Sequence, residues 1–200
     1  MAGAVADTTF SNRYPRNITL SETLEDDNIQ QYRKQEDAMD REHSFAPLID
    51  SKSQTLILGS LPGVESLCKQ QYYAHPHNAF WRIIYALYGE NIDEQYSHRC
   101  EFILSNNLAL WDVCGSAKRV GSADDKMTDI RPNDIEKLLN DFPKIRRIVL
   151  NGRKAEKELH RYFPEITIPA AYAPSTSPAL AALTFDEKLS EWRKVFCFGG

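Results

Sequence analysis

No run of the sequence approaches the roughly 20 consecutive apolar residues of a bilayer-spanning helix, which excludes a helical membrane protein. The N-terminus lacks the apolar core of a secretory signal, so the chain is expected not to be secreted. Cysteine is scarce. Cys68, Cys100, Cys114 and Cys197 show no C-x-x-C spacing and no neighbouring His cluster. That argues against a zinc ribbon, a four-Cys iron–sulfur site and a disulfide framework, and for a reducing intracellular compartment, cytoplasm or nucleus. There is no G-x-G-x-x-G, no Lys-Ser/Thr after a glycine-rich turn and no G-x-S-x-G elbow. A phosphate cradle and an acyl-transfer hydrolase are therefore poorly supported.

A basic excess is missing too. The chain holds 24 Lys+Arg against 28 Asp+Glu, a net charge of −4. Residues 1–46 carry nine acids and five bases, so residues 47–200 carry 19 of each and are neutral. This is not the composition of a non-specific DNA coat protein, although it permits a local basic groove.

What remains is ordinary for one globular domain: 200 residues, 42% hydrophobic and 26% charged. Residues 1–46 are polar, acidic and without a sustained apolar period, and are expected to be a disordered or loosely helical extension. From residue 47 a strand–loop–helix rhythm begins. Apolar runs at 55–58, 108–111, 145–150 and 166–172 predict four strands. Helices are expected over 78–88, 132–142, 153–163 and 185–196, with another ending at 105. Residues 115–131 read as a long polar loop. Alternating strands and helices imply an α/β domain with a parallel sheet covered on both faces, and ligands bind beyond the C-terminal strand ends of such sheets.

That rule selects four loops. The first opens with Gly59-Ser60-Leu61-Pro62-Gly63, either a tight turn or part of a pocket. It continues into Tyr72-Tyr73-Ala74-His75-Pro76-His77-Asn78-Ala79-Phe80-Trp81. Tyrosine faces suit a planar ligand, and Asn78 offers both a donor and an acceptor, or an ordinary helix cap. His75 and His77 read as loop filler or positioning groups, and Phe80 and Trp81 as core. The second loop starts at Trp111-Asp112, where Asp112 can accept from a base edge or cap a turn. Its cations Lys118, Arg119, Lys126 and Arg131 either line a phosphate track or solvate the loop. The third begins Asn151-Gly152-Arg153-Lys154. The fourth, Ser175-Thr176-Ser177-Pro178-Ala179-Leu180, sets three hydroxyls on a Pro-bounded turn, which suits phosphate oxygens or is a plain surface turn.

In this order, Leu58-Gly59-Ser60-Leu61-Pro62-Gly63, Tyr72 to Trp81, Leu110-Trp111-Asp112-Val113, Ile148 to Gly152 and Ser175 to Ala179 resemble the uracil-DNA glycosylase superfamily. Within it they resemble the hypoxanthine-DNA glycosylase branch, also called family 6 or DNA-deoxyinosine glycosylase. The likeness spans roughly residues 47–198. It implies a three-layer α/β/α sandwich on a four-stranded parallel sheet. It also implies a monofunctional hydrolase that excises deaminated bases, hypoxanthine foremost, from DNA in base excision repair. On this resemblance the chain acts as a monomer on DNA, with no cofactor, metal or membrane partner. Asn78 and Ser60 take the catalytic positions, although sister branches carry Asn or Asp where Ser60 stands, and Ser is a poor water activator without a base. Gly59, Leu61, Pro62, Gly63, Tyr73, Trp111, Asp112 and Asn151 are expected to surround the flipped base, with Tyr73 stacking on it. Ser175, Thr176, Ser177, Pro178, Leu180 and Arg153 are expected to contact DNA. Ala173 replaces a His or Asn of other branches, and Leu180 replaces an Asn. Rival readings are a uracil- or mismatch-directed glycosylase, a DNA-binding module without chemistry, and a nucleoside hydrolase.

Overall fold

The computed structural model describes residues 41–119 and 124–197. The extension expected over 1–46 falls mostly outside this range. Arg41, however, begins the compact unit, so residues 41–46 belong to the domain rather than to the extension.

Four parallel strands form the main sheet in the order β3-β2-β6-β7: β2 (Thr55–Gly59), β3 (Leu108–Asp112), β6 (Arg147–Asn151) and β7 (Ala170–Ala173). β2 is central and buried throughout, and its side chains alternate between two cores as the two-residue strand period requires. Ile57 joins one core with Leu108, Leu110 and Val149. Leu56 and Leu58 join the other with Ala109, Ile148 and Leu150.

The first core is roofed by α2 (Phe80–Tyr88), α3 (Tyr96–Ser105) and α6 (Phe185–Cys197), through Phe80, Trp81, Ile83, Ile84, Ile103, Leu189 and Trp192. The second is roofed by α4 (Ile135–Asp141) and α5 (Arg153–Tyr162), through Ile135, Leu138, Ala155 and Leu159. Helices on both faces complete the expected three-layer α/β/α sandwich. Each fully buried Leu or Ile contributes about 1.5–3 kcal/mol of apolar transfer, and this holds the layers together. A short α1 (Val64–Lys69), absent from the sequence expectation, fills part of the first loop. Among the described residues no helix is long and apolar enough to cross a membrane.

The segment expected to be a polar loop contains a second sheet. β4 (Cys114–Lys118) pairs antiparallel with β5 (Thr128–Pro132) and with β1 (Glu42–His43). Its strands escape a periodicity reading because they are short and rich in small and polar residues, with β5 almost wholly exposed. A satellite core of Leu61, Cys114, Ala117 and Met127 lies under it. Buried Arg41 staples it, pairing with Asp129 and donating to Ser116 Oγ at 3.3 Å.

The last loop packs directly on the end of β6. Gly152 has φ +98°, and a Cβ there would stand 2.9 Å from Ser175 Cβ. Gly152→Ala therefore adds left-handed backbone strain to a steric clash, and is expected to destabilise the fold by about 1–3 kcal/mol. Urea unfolding measures this, and an unchanged midpoint would show that the loop yields freely.

Candidate functional site

The C-terminal ends of the four parallel strands bring the predicted residues to one side of the molecule. The β2–β3 pairing sets Gly59 opposite Asp112, and the β6–β7 pairing sets Asn151 opposite Ala173. The pairing continues past the strands, with Val113 N–H donating to Gly59 O at 2.9 Å and Cys114 N–H to Ser60 O at 3.0 Å. Those two bonds fix the turn at Ser60.

Asp112 lies on the Leu110 side of β3, by the same alternation that turns Trp111 to the opposite face. It is 3% exposed. One carboxyl oxygen accepts from Ser44 Oγ at 3.0 Å. The other takes the space beside Gly59, only 2.5 Å from where a Cβ would stand, with the Tyr73 hydroxyl 3.1 Å from the same point. A side chain at residue 59 would expel one of them. Burial pushes the Asp112 carboxyl up to about 7, with the negative charge of Asp124 adding to the rise and the Ser44 hydroxyl and Arg119 opposing it.

Tyr73 has φ +54°, uncommon for an aromatic residue, and this conformation aims its ring into the site. The ring stacks on Phe80 with centroids 3.8 Å apart and planes inclined by 21°. Its hydroxyl is buried and no group meets hydrogen-bond geometry with it; burial and the Asp112 charge raise its pKa above the ordinary phenol value, and the nearby Asn151 side chain opposes the rise. A buried, unpaired hydroxyl costs about 1–3 kcal/mol, a cost commonly retained where a ligand completes the bond.

Asn78 sits one residue before the capping position of α2. Its Oδ1 accepts from Phe80 N–H at 3.0 Å in an Asx turn that leads into α2, so the N-cap is Ala79 and not Asn78 as the plain reading expects. The same bond leaves both Nδ2 protons free of partners among the described residues. Ser60 Oγ donates to the Asp124 carboxylate, 2.9 Å from both oxygens. Asp124 opens a 3-10 turn (Asp124–Lys126) before β5. Arg119 is wholly buried, paired with Glu42, donating to Pro62 O and 3.8 Å from Asp124. It is thus a tie between β4 and the first loop, rather than part of an exposed phosphate track.

Several residues expected around the base make other contacts in the fold. Leu61 is buried in the satellite core, where its apolar side chain is drawn under β4. Trp111 packs against the second core and donates to Phe45 O at 2.9 Å. Asn151 spends both ends of its carboxamide on the last loop, donating to Thr176 Oγ1 and accepting from Thr176 N–H, each at 3.0 Å. Pro62 offers its carbonyl to Arg119, and Gly63 starts α1.

The last loop is rigidly held. Thr176 is 1% exposed, and its carbonyl accepts from Ala79 N–H at 2.9 Å, tying the loop to the start of α2. Trp192 Nε1 donates to Pro174 O at 2.9 Å and Lys188 Nζ to Ser177 O at 3.1 Å. Ser175 and Ser177 accept backbone N–H bonds within the loop and keep their hydroxyl protons to donate. Pro178 is exposed and Leu180 half-buried. Arg153 is exposed at the start of α5, paired with Glu156 at 2.7 Å and lying 3.9 Å over the Tyr172 ring. A cleft of about 460 Å³ between Phe45, Gln70, Tyr72 and Tyr96 touches this region only through Ser44. The strand ends, where unpaired polar groups converge, are the better candidate.

Sequence reasoning did not find Ser44, Arg119's tie or Asp124. Ser44 lies in the presumed extension, and Asp124 in a polar stretch whose cations alone drew notice.

Residues 46–196 match the family described as the uracil DNA glycosylase superfamily. The chain is 39% identical over 153 residues to a hypoxanthine DNA glycosylase of Methanosarcina acetivorans, covering 76% of this chain and 96% of that protein. It is 39% identical over 116 residues to a hypoxanthine DNA glycosylase of Methanosarcina barkeri, covering 58% and 73%. A solution NMR structure of a protein described as a uracil DNA glycosylase from Methanosarcina acetivorans matches with a TM-score of 0.69 at 37% identity, over 78% of this chain and 96% of that one.

The raised Asp112 carboxyl makes stability depend on pH. An unfolded Asp loses its proton near 3.8, whereas the folded protein keeps it to about 7. Between these values the native state binds the extra proton, so this site's stability falls as pH rises and its loss is complete above the folded value. Asp112→Asn mimics the neutral acid. Its melting temperature relative to wild type is expected to rise between about pH 4 and about pH 7 and to level off above that, and a constant difference would show a carboxyl whose acidity folding leaves unchanged.

Proposed function

The chain belongs to the uracil DNA glycosylase superfamily, and from that premise we propose that it hydrolyses the N-glycosidic bond of hypoxanthine in DNA, releasing the free base and leaving an abasic site. The observation that carries this reading is the buried, unpartnered Tyr73 hydroxyl beside the half-engaged Asp112 carboxyl at the strand ends. Both are polar groups arranged for a planar heterocycle and left incomplete without one. The activity named for the Methanosarcina relatives supports the choice of base.

A base in a stacked duplex is out of reach and must be flipped, at a cost of a few kcal/mol that is smallest for a mispaired base. The Tyr73 ring, backed by Phe80, is the stacking platform. Deamination turns the amino group of adenine into a carbonyl beside a ring N–H. A proton on the free Asp112 oxygen donates to that carbonyl, whereas an ionised oxygen would favour the amino group of adenine instead. As the glycosidic bond lengthens, negative charge builds on the base and positive charge on the sugar. Asn78 Nδ2 is a fixed donor for the former or for the attacking water. Ser175 and Ser177 hydroxyls, with Arg153 beside them, hold the phosphates flanking the flipped nucleotide. No lysine takes part as a Schiff-base nucleophile, so the product is an abasic site without strand cleavage. The unpaired thiols of Cys68, Cys100 and Cys114 suit a reducing intracellular compartment, and the protein works as a monomer.

Single-turnover excision on duplexes holding inosine, uracil, xanthine or a G·T mismatch tests the proposal, with alkali revealing abasic sites. Inosine is expected to react fastest, and Asn78→Ala to slow excision about 10²–10³-fold with duplex binding retained. Product chiefly from uracil would reassign the pocket, and no product from any duplex would leave a binding module.

A further inference from the structure

Among the charged and hydroxyl groups gathered at the strand ends, one pairing is not used above. Ser60, at the tip of the central strand, donates its hydroxyl proton to Asp124 with both carboxylate oxygens at 2.9 Å. A hydroxyl that donates to a carboxylate keeps its lone pairs but has no proton left to give. The group with basicity there is Asp124, not Ser60.

The alternatives around it fail on chemistry. Asn78 carries an amide, which takes no proton. Asp112 has one oxygen held by Ser44 and donates its proton to the base carbonyl from the other, so it is not the group that takes one from water. Asp124 differs, since its side chain is 43% exposed, so water reaches it. We propose that Asp124 is the general base of the glycosylase reaction, accepting a proton from the water that attacks C1′, and that Ser60 is the positioning residue that holds its carboxylate at the end of β2. This rests on the glycosylase reading given above.

The step balances without a further reactant. The water oxygen bonds to C1′ as the C1′–N9 bond breaks, and the bonding pair leaves with the base. The water proton passes to an Asp124 oxygen. Protonated Asp124 then returns it, through solvent, to the base anion, so that DNA and water give an abasic site and neutral hypoxanthine. Two acids in one site with different environments is a recurring basis for dividing donor and acceptor roles. Here Asp112 holds its proton up to about pH 7, while the water-exposed Asp124 is placed to take one.

The groups facing Asp124 set its titration. Burial raises its pKa above the ordinary carboxylate value, while donation from Ser60 and the charges of Arg119 and Lys154 lower it, and Asp125 raises it. Asp112, Tyr73 and Cys114 also feel its charge. Activity needs the carboxylate, so the rate is expected to rise with pH through a value above the ordinary Asp range, giving an acidic limb.

The test is the single-turnover rate of the full chain across pH, on whichever duplex the wild type cleaves. Asp124→Asn is expected to lower the plateau about 10²–10⁴-fold, to abolish the acidic limb and to leave duplex binding unchanged. Asp124→Glu is expected to restore much of the rate together with the limb. Ser60→Ala removes the bond that favours the carboxylate, so its acidic limb is expected to move to higher pH. An Asp124→Asn protein with the wild-type rate and pH profile overturns the proposal. Should that variant fail to fold, an unmoved limb in Ser60→Ala overturns it. Absence of any product from the wild type counts instead against the glycosylase reading, so the two failures are told apart.

Discussion

The Asp112 carboxyl occupies the space that any side chain on Gly59 would fill, and the rest of the site is arranged around that substitution of one group for another. Parallel pairing of β2 with β3 sets the two residues side by side. The central strand is buried on both faces, so the sheet cannot shift to relieve the crowding. The carboxyl is thereby largely shielded from water, and burial then lets it hold its proton up to about pH 7. Geometry comes first here, and the altered acidity is its consequence. Tyr73, forced to a left-handed backbone angle, brings its hydroxyl to the same point from the loop above.

The contrast between the strand-end loops follows from how each is held. The last loop has four anchors from two helices and a strand: Ala79, Lys188 and Trp192 on the helical side, and Asn151 on the strand. Rigid hydroxyl donors bind phosphate with less ordering cost than mobile ones, which suits a loop meant to hold a duplex while one nucleotide leaves the stack. Asn151 and Asn78 divide the work of two similar amides. Asn151 ties both ends of its amide to Thr176, whereas Asn78 spends only its oxygen and keeps both donors. Residue type alone could not separate them.

This is also where legibility in the sequence stops. The main sheet was readable because β2, β3 and β6 are short apolar runs bounded by polar or glycine residues, and burial on both faces demands that pattern. The amphipathic helices were readable for the same reason. The second sheet was not, since β4 and β5 pair through backbone groups and hide only a small core under them. Its staple, Arg41 on Asp129, joins residues distant in the chain that look like solvated charges. The strand-end rule selects the loops that hold Tyr73, Asn78, Asp112 and Ser60, and the family resemblance singles out those residues within them. Leu61 and Trp111 stood out by the same rule but are drawn into packing, since neither alternation nor the satellite core could be judged from position alone.

Asp124 joins these threads, because it depends on the sheet that the sequence concealed. The β4–β5 hairpin folds back over the first loop, and buried Arg119 ties it there through Pro62 and Glu42. That brings a carboxylate to Ser60 across 64 residues of chain. A serine at the tip of the central strand looks deficient as long as it is considered alone. With Asp124 beside it, the hydroxyl becomes the fixed end of a hydrogen bond that orients an acid, and the tip of β2 regains a group able to take a proton. Two carboxyls then flank one turn, one shut away and protonated, the other open to water. The difference between them arises from burial rather than from residue type.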